Sequence, residues 1–125
     1  MNSEKPLATR VAGDRILRDV SLGFVRVHVL HHAAKEPIFG LEMMVELKRH
    51  GYDISAGTLY PLLHGLETMG ALHSDQELVD GKNRRYYRTT KAGDALLVEL
   101  RARIRELVGE VLESGISEVS RKRHR

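Results

Sequence analysis

The clearest pattern in the chain is an apolar stripe between two glycines, Gly51 and Gly70. Apolar side chains recur there at i, i+3, i+4, i+7 and i+10, the spacing of one face of a helix. The stripe consists of Leu59, Leu62, Leu63, Leu66 and Met69. This spacing predicts a helix that starts between Ser55 and Thr58, either of which can cap it. Because proline is tolerated best in the first turn of a helix, Pro61 favours a start closer to Thr58.

Hydrophobic positions also predict two helices ahead of this one. Asp14 can cap a helix over residues 14–34. Its middle, residues 24–30, alternates like a strand, but the flanking positions and the lack of a nearby hairpin partner favour a helix. Residues 40–50 predict a second helix, which Gly51 ends, because glycine readily takes the left-handed backbone of a helix terminus. On the second helix, the predicted inward residues are Leu41, Met44 and Val45, and the outward ones are Glu42, Glu46, Lys48 and Arg49.

The last predicted helix begins at Thr89 or Thr90, whose hydroxyl groups can cap it, and extends to about residue 114. Its apolar residues are spaced by 3, 4, 3 and 4 positions, which is the seam spacing of a coiled coil. The seam consists of Leu97, Leu100, Ile104, Leu107 and Val111. It covers only about two heptads, too few to be stable alone. We therefore expect it to pack with the first helix and to form a dimer interface.

A basic hairpin is predicted between the third and last helices. Residues 71–79 and 83–89 have strand character, and Asp80-Gly81 between them is a strong signal for a two-residue turn. The net charge of the chain is only +3, but residues 81–91 contain five cations and no acid. These cations are Lys82, Arg84, Arg85, Arg88 and Lys91.

The order helix–helix–helix–hairpin–helix predicts a mainly helical α+β fold, a winged helix-turn-helix with a long C-terminal dimerisation helix. The predicted domain organisation has four parts along the chain. They are a flexible N-terminal arm at residues 1–13, a DNA-binding domain at 14–90, a dimerisation helix at 91–115 and a basic flexible tail at 116–125.

Composition excludes several classes of protein. With 125 residues and a hydrophobic fraction of 42%, the chain can form one domain with a modest core, which a dimer would enlarge. It has no cysteine, so disulfides, thiolate zinc sites and a thiol nucleophile are excluded. No apolar run approaches the ~20 residues of a membrane span and no signal peptide opens the chain, so we expect a cytoplasmic protein. No catalytic triad, carboxylate pair or phosphate-binding loop is found, and we predict neither an enzyme nor a cofactor.

A helix with a polar outer face, followed by a basic hairpin, favours binding of double-stranded DNA. On the helix, the candidate contacts are Ser55, Gly57, Thr58, Tyr60 and His64. Tyr60 is the strongest of them, since it lies off the apolar stripe and its hydroxyl can reach a phosphate. On the hairpin tip, the candidates for contacts with phosphate or the minor groove are Lys82, Asn83, Arg84 and Arg85.

These segments resemble the PadR family of bacterial transcriptional regulators. The resemblance covers roughly residues 22–112 and rests on Gly51-Tyr52-Asp53-Ile54, on GTLYPLLHGLE at 57–67 followed by Gly70, and on Arg85-x-Tyr87-x-x-Thr90-x-x-Gly93. The single C-terminal helix is similar to the smaller subfamily. The resemblance implies a homodimeric repressor of an inverted-repeat operator, released in some members by a phenolic or other aromatic compound. The sequence departs from the family at Thr89, where leucine is usual, and at Gly40-Leu41, where glycine-tyrosine is usual.

The same regulator could also respond to a small molecule, and two alternative interpretations of the chain exist. A pocket for a flat organic molecule is expected between the first and last helices, near Phe24, Val27, His28, His31, Leu97 and Leu100. His28, His31 and His32 could instead form a metal- or pH-sensing patch, although their spacing is also typical of a polar or inter-subunit face, and no metal is predicted. A winged helix that binds protein and not DNA is a third interpretation, which the unopposed charge of the hairpin disfavours.

Overall fold

The computed structural model describes residues 13–114 as helices packed around a small antiparallel sheet. The helices are α1 Asp14–Lys35, α2 Gly40–Arg49, α3 Ala56–Thr68 and α4 Lys91–Val108, with a π-helical segment at Gly109–Ser114. The strands are β1 Ile38–Phe39, β2 Leu72–Val79 and β3 Lys82–Thr89. The mainly helical winged-helix fold is therefore confirmed. Residues 1–12 of the arm predicted at 1–13, and the tail predicted at 116–125, lie outside the described residues.

Helix α1 is continuous through the stretch that alternates like a strand. Its core face consists of Val25, Val29, Leu30 and Ala33, all buried. Gly13 occupies the N-cap position, so the predicted cap at Asp14 is wrong. Asp14 lies in the first turn instead, where its carboxylate interacts favourably with the positive end of the helix dipole.

The inward face of α2 differs from the prediction. Met43 and Leu47 are buried, whereas Leu41 and Val45 are 61% and 58% exposed. The reason is the two-residue strand β1, which pairs with β3 and sets the rotation of the helix that begins directly after it. This short helix has two possible apolar faces, one with Leu41 and Val45 and one with Met43 and Leu47. The strand that selects between them has only two residues, too few to give a recognisable sequence pattern.

Helix α3 begins at Ala56 with Ser55 as its N-cap, earlier than the start near Thr58 that Pro61 suggested. Pro61 therefore lies inside the helix. Its missing N–H affects only the carbonyl of Gly57, an exposed residue whose carbonyl can bond to water.

The leucine stripe of α3 is buried as predicted. It consists of Leu59, Leu62, Leu63 and Leu66. Met69, predicted as its last member, is 72% exposed, because it stands at the C-cap after the helix has ended.

The sheet has the order β1-β3-β2 and holds the hairpin against the core. Asp80 and Gly81 have φ angles of 50° and 77°, the left-handed pair that a two-residue hairpin turn requires. Tyr87 of β3 is buried and faces Ile38 on one side and Ser74 on the other. Burial raises the pKa of the Tyr87 phenol, so this anchor of the hairpin stays neutral.

The start of α4 is fixed to the turn between α3 and β2. Thr90 is the N-cap: its hydroxyl accepts a hydrogen bond from the Gly93 N–H at 3.0 Å and donates to the Gly70 carbonyl at 2.5 Å. A Cβ atom at Gly93 would overlap the carbonyl oxygen of Ala71. Thr89, in the place of the usual leucine, donates to the Asp94 carboxylate at 2.6 Å and so supports the same junction.

The apolar seam of α4 becomes progressively more exposed from its N-terminal to its C-terminal end. Leu97 is buried, Leu100 is half-buried, and Ile104, Leu107 and Val111 are 37%, 49% and 55% exposed. Within residues 13–114, no helix is long and apolar enough to cross a membrane.

We expect Gly93→Ala to lower the free energy of unfolding by about 1–3 kcal/mol, because a methyl group there must displace backbone and not a mobile side chain. Chemical denaturation at fixed protein concentration measures this. Gly65→Ala is the matched control, since Gly65 lies inside α3 and a methyl group there would have no neighbouring atom within 4 Å. It should stabilise by about 0.5–1 kcal/mol through helix propensity. Equal effects of the two changes would contradict this account of the junction.

Candidate nucleic-acid interface

The outward face of α3 carries most of the side chains predicted to contact DNA. Ser55, Gly57, Tyr60 and His64 are exposed, and Thr58 is half-buried. The Ser55 hydroxyl donates to Thr58 Oγ1 at 3.4 Å, and neither side chain makes a capping bond to the helix backbone. Ser55 thus stands at the predicted N-cap position without a capping bond from its hydroxyl group, and the prediction of a cap at Thr58 is wrong, because Thr58 lies inside the helix.

Tyr60 rests on the backbone at the start of α2. A Cβ atom at Gly40 would lie 2.6 Å from the Tyr60 hydroxyl oxygen and equally close to its ring. Because Gly40 has no side chain, the Tyr60 ring can pack directly on the backbone there, while 44% of the tyrosine stays exposed. Half-burial of the ring restricts its rotamers and holds the hydroxyl at a defined place on the surface.

Phe39, the residue before Gly40, contacts the hairpin. The Arg84 guanidinium lies over the Phe39 ring, 4.8 Å from its centroid, and the Tyr86 ring packs against Phe39 edge to face at 5.4 Å. Adjacent residues, Phe39 and Gly40, thus support a cation of the hairpin and the tyrosine of α3. The two predicted groups of DNA contacts therefore lie side by side on one surface.

The cations of the hairpin are less free than the sequence suggested. Arg85 Nη1 donates to Ser74 Oγ at 2.9 Å, and the Ser74 hydroxyl donates in turn to Glu67 Oε2 at 2.6 Å. Arg88 lies 3.9 Å from the Asp75 carboxylate. Arg88 is therefore paired with an acid of the neighbouring strand, and Arg85 is linked through Ser74 to an acid of α3. Neither acid belongs to the hairpin's own basic run.

Lys82 and Asn83 occupy the hairpin tip. Both are exposed. The side chain of Lys82 makes no hydrogen bond or ion pair with any residue from 13 to 114, so its full charge is presented to solvent. The Arg85–Ser74–Glu67 chain of hydrogen bonds connects the hairpin to α3 and restricts the angle between them.

A groove separates α1 from α4 where a ligand pocket was predicted. It has a volume of about 290 Å³ and is lined by Phe24, Val27, His28, His31, Tyr52, Leu97, Arg101 and Ile104. Five of the six predicted residues line it, while Leu100 packs against the core instead. The prediction missed Tyr52, Arg101 and Ile104. Tyr52 comes from the loop after α2, Arg101 is off the apolar seam, and Ile104 was assigned only to the dimer seam.

Two of the three histidines of the predicted patch meet a histidine of α2, while the His31 ring packs edge to face against His32 at 5.1 Å between centroids. His31 faces the groove, whereas one ring nitrogen from each of His28, His32 and His50 lies within 4.8 Å of the others. His28 and His50 stack at 4.8 Å between ring centroids. Glu46 joins this cluster from α2, with Oε2 at 3.0 Å from His50 Nε2 and 3.6 Å from His32 Nε2.

The electrostatics of the cluster follow from burial and from neighbouring charges. Burial lowers the pKa of His28 and of His31. Neighbouring histidines lower the pKa of His28 further and Glu46 opposes them, while Lys35 lowers the pKa of His31 further. The hydrogen bond with His50 lowers the pKa of Glu46. The imidazole rings of His28 and His31 are therefore neutral at pH 7 and Glu46 is ionised.

The order of the elements, the exposed third helix and the basic hairpin beside it define a winged helix-turn-helix regulator of transcription. The chain belongs to the PadR-like family of transcriptional regulators, which its residues 29–99 match. Because members of this family are regulators, the prediction that the chain is not an enzyme is confirmed.

Individual relatives of the chain are also transcriptional regulators. The chain is 51% identical over 96 residues to the transcriptional regulator Rv3488 of Mycobacterium tuberculosis, a match that covers 77% of this chain and 90% of that protein. A PadR family regulator from Eggerthella lenta has a similar structure, with a TM-score of 0.71 and 31% identity over 91% of this chain and 96% of its own. A Streptococcus transcriptional regulator gives a TM-score of 0.66 at 28% identity, covering 82% and 96% of the two chains.

Proposed function

We propose that this PadR-like regulator is a homodimeric repressor that binds an inverted-repeat DNA operator. Helix α3 enters the major groove, and the β2–β3 hairpin contacts the backbone or minor groove beside it. The observation that carries the proposal is the pair of adjacent contacts at β1 and α2. Phe39 supports Arg84 and Gly40 supports Tyr60, so a polar helix face and a cationic hairpin present one continuous surface.

The side chains on this surface suit contacts with phosphate more than contacts with bases. Tyr60 and the hydroxyl groups of Ser55 and Thr58 can donate to phosphate oxygens, and Lys82 and Arg84 add charge. His64, exposed one turn after Tyr60, is the side chain of α3 best placed to reach a base edge. Such a set positions the protein firmly on DNA, and it makes sequence discrimination depend on few direct contacts.

Dimerisation is supported by two apolar surfaces that have no partner within residues 13–114. One is the outer face of α1, where Ile16, Leu17, Val20 and Phe24 are all more than 40% exposed. The other is the distal seam of α4, formed by Ile104, Leu107 and Val111. A second copy that covers both would bury them and would place two α3 helices about 34 Å or a near multiple apart, the half-site spacing of an inverted repeat.

The groove between α1 and α4 is the proposed site of a small aromatic effector. Its wall is largely apolar, with imidazole, phenol and guanidinium groups at the edge that can orient a polar substituent. It adjoins the proposed dimer surfaces through Phe24 and Ile104, so a bound molecule would change how the subunits meet. A dimer structure in which these side chains close-pack with no cavity would exclude this site.

We expect Tyr60→Ala and Gly40→Ala each to weaken operator binding roughly tenfold. The first change removes the phenol, and the second adds a methyl group that displaces the Tyr60 ring from the backbone of residue 40. Fluorescence anisotropy with DNA from upstream of the protein's own gene measures the affinity. Leu41→Ala is the matched control, because Leu41 neighbours Gly40 but is 61% exposed and off the core. If both variants bind like the wild type, α3 does not dock in this way.

We expect Lys82→Ala to weaken binding equally on operator and unrelated DNA, because a phosphate contact carries no sequence information. It removes one cation from each hairpin of the dimer, so the slope of log K against log salt should decrease by about 2. Arg103→Ala on α4 removes the same charge from a side chain that is 79% exposed, and the slope should not change. A weak salt dependence of the wild type would favour the protein-binding alternative.

We expect Leu107→Glu to convert the dimer into a monomer, because a carboxylate would be buried in an apolar seam at a cost of several kcal/mol. Sedimentation velocity at micromolar concentration distinguishes the two states. Val98→Glu places the same charge on α4 at a 64% exposed position off the seam and should leave the dimer intact. A Leu107→Glu protein that still sediments as a dimer would show that the interface lies elsewhere.

A further inference from the structure

We propose that His28, His32, Glu46 and His50 form a binding site for a divalent late transition-metal ion, with Zn²⁺ the expected occupant. The site joins two helices through matching pairs. His28 and His32 are spaced i, i+4 on α1, and Glu46 and His50 are spaced i, i+4 on α2. Residues spaced in this way lie on one face of a helix, so each helix presents two potential ligands to the other.

The distances from Glu46 to two of the imidazoles are close to those around a tetrahedral ion. Bonds of about 2.1 Å to zinc place neighbouring ligand atoms about 3.4 Å apart. Glu46 Oε2 lies 3.6 Å from His32 Nε2 and 3.0 Å from His50 Nε2, on either side of that value. The three imidazole nitrogens lie within 4.8 Å of one another, so binding of an ion would draw them closer together.

The donor set determines the class of ion. Three imidazoles with one carboxylate suit zinc, copper, nickel and iron, whereas calcium and magnesium prefer oxygen ligands. The carboxylate also supplies negative charge that offsets part of the charge of the ion. No cysteine is present, so the site would be insensitive to oxidation of its ligands to disulfides.

The cluster is open to solvent on one side. A cavity of about 210 Å³ is lined by His32 and Glu46 together with Lys35, Glu36, Ile38, Glu42 and Met43. Glu36 and Glu42 add negative charge along this route and would attract a cation. His28 in contrast also lines the effector groove, and the Tyr52 ring packs against it edge to face at 5.3 Å. A bound ion would therefore fix one wall of that groove.

The location ties metal binding to the DNA-facing half of the domain. His50 is the C-cap of α2, and the following segment, residues 51–55, leads directly into α3. An ion held between α1 and α2 would fix the position of His50, and with it the start of the segment that leads into α3. Metal binding can be measured without DNA, so its outcome does not depend on the proposed operator.

The test is isothermal titration calorimetry of the full chain, free of any affinity tag, with Zn²⁺ at a pH of about 7.5, where neutral imidazoles can act as ligands, and Co²⁺ titration followed by visible absorption. The wild type should bind one ion per chain saturably and give the d–d absorption of tetrahedral cobalt. His50→Ala and Glu46→Gln should each weaken binding by at least about tenfold. Zn²⁺ should also raise the melting temperature of the wild type and not that of His50→Ala.

The matched control is His73→Ala, which removes an exposed imidazole of β2 outside the cluster and should change the affinity by less than about twofold. His50 is the primary variant because its side chain is 47% exposed, so its loss leaves the core intact. A melting curve without metal verifies this. Absence of saturable binding, wild-type affinity in His50→Ala, or an equal loss in His73→Ala would overturn the proposal.

Discussion

Burial of the leucine stripe is the constraint on which the rest of the structure depends. Leu59 and Leu63 are fully buried, and Leu62 and Leu66 nearly so. Removing four leucine side chains from water contributes roughly 6–12 kcal/mol before the entropy cost of folding, comparable to the net stability of a small domain. Because these leucines occupy one side of α3, the other side must face outward. The position of Tyr60 and His64 on the surface is a direct consequence of that burial.

The short connection between α1 and α2 joins the outer face of α3 and the hairpin into one surface. Strand β1 pairs with β3, so the hairpin and the start of α2 are fixed relative to each other. Phe39 and Gly40 then support groups from the hairpin and from α3, and the Arg85–Ser74–Glu67 chain joins the same two elements at a second point. Two independent connections restrict the angle between helix and hairpin. A rigid angle reduces the ordering that binding to a duplex would require.

Sequence reasoning succeeded where one element carried the whole signal. The leucine stripe, the Asp80-Gly81 turn and the seam of α4 are local periodicities or local backbone requirements, and each was predicted with nearly correct bounds. It failed where two elements had to be combined. The phase of α2 depends on β1, the acid opposite Arg85 comes from α3, and the partners of His28 and His32 come from α2. Such contacts join residues far apart in sequence, and no spacing within either segment encodes them.

The sequence by itself determined the type and order of the elements, the basic hairpin and the family of this regulator, because periodicity, turn chemistry and motif strings are properties of consecutive residues. Only the tertiary structure decided which face of α2 is buried, which hairpin cations remain free and which histidines meet. Those outcomes follow from packing, since a side chain's surroundings are set by the helices and strands that lie against it. His31 and His32 are adjacent in the chain, yet one lines the groove and the other approaches Glu46, because successive residues of a helix point about 100° apart.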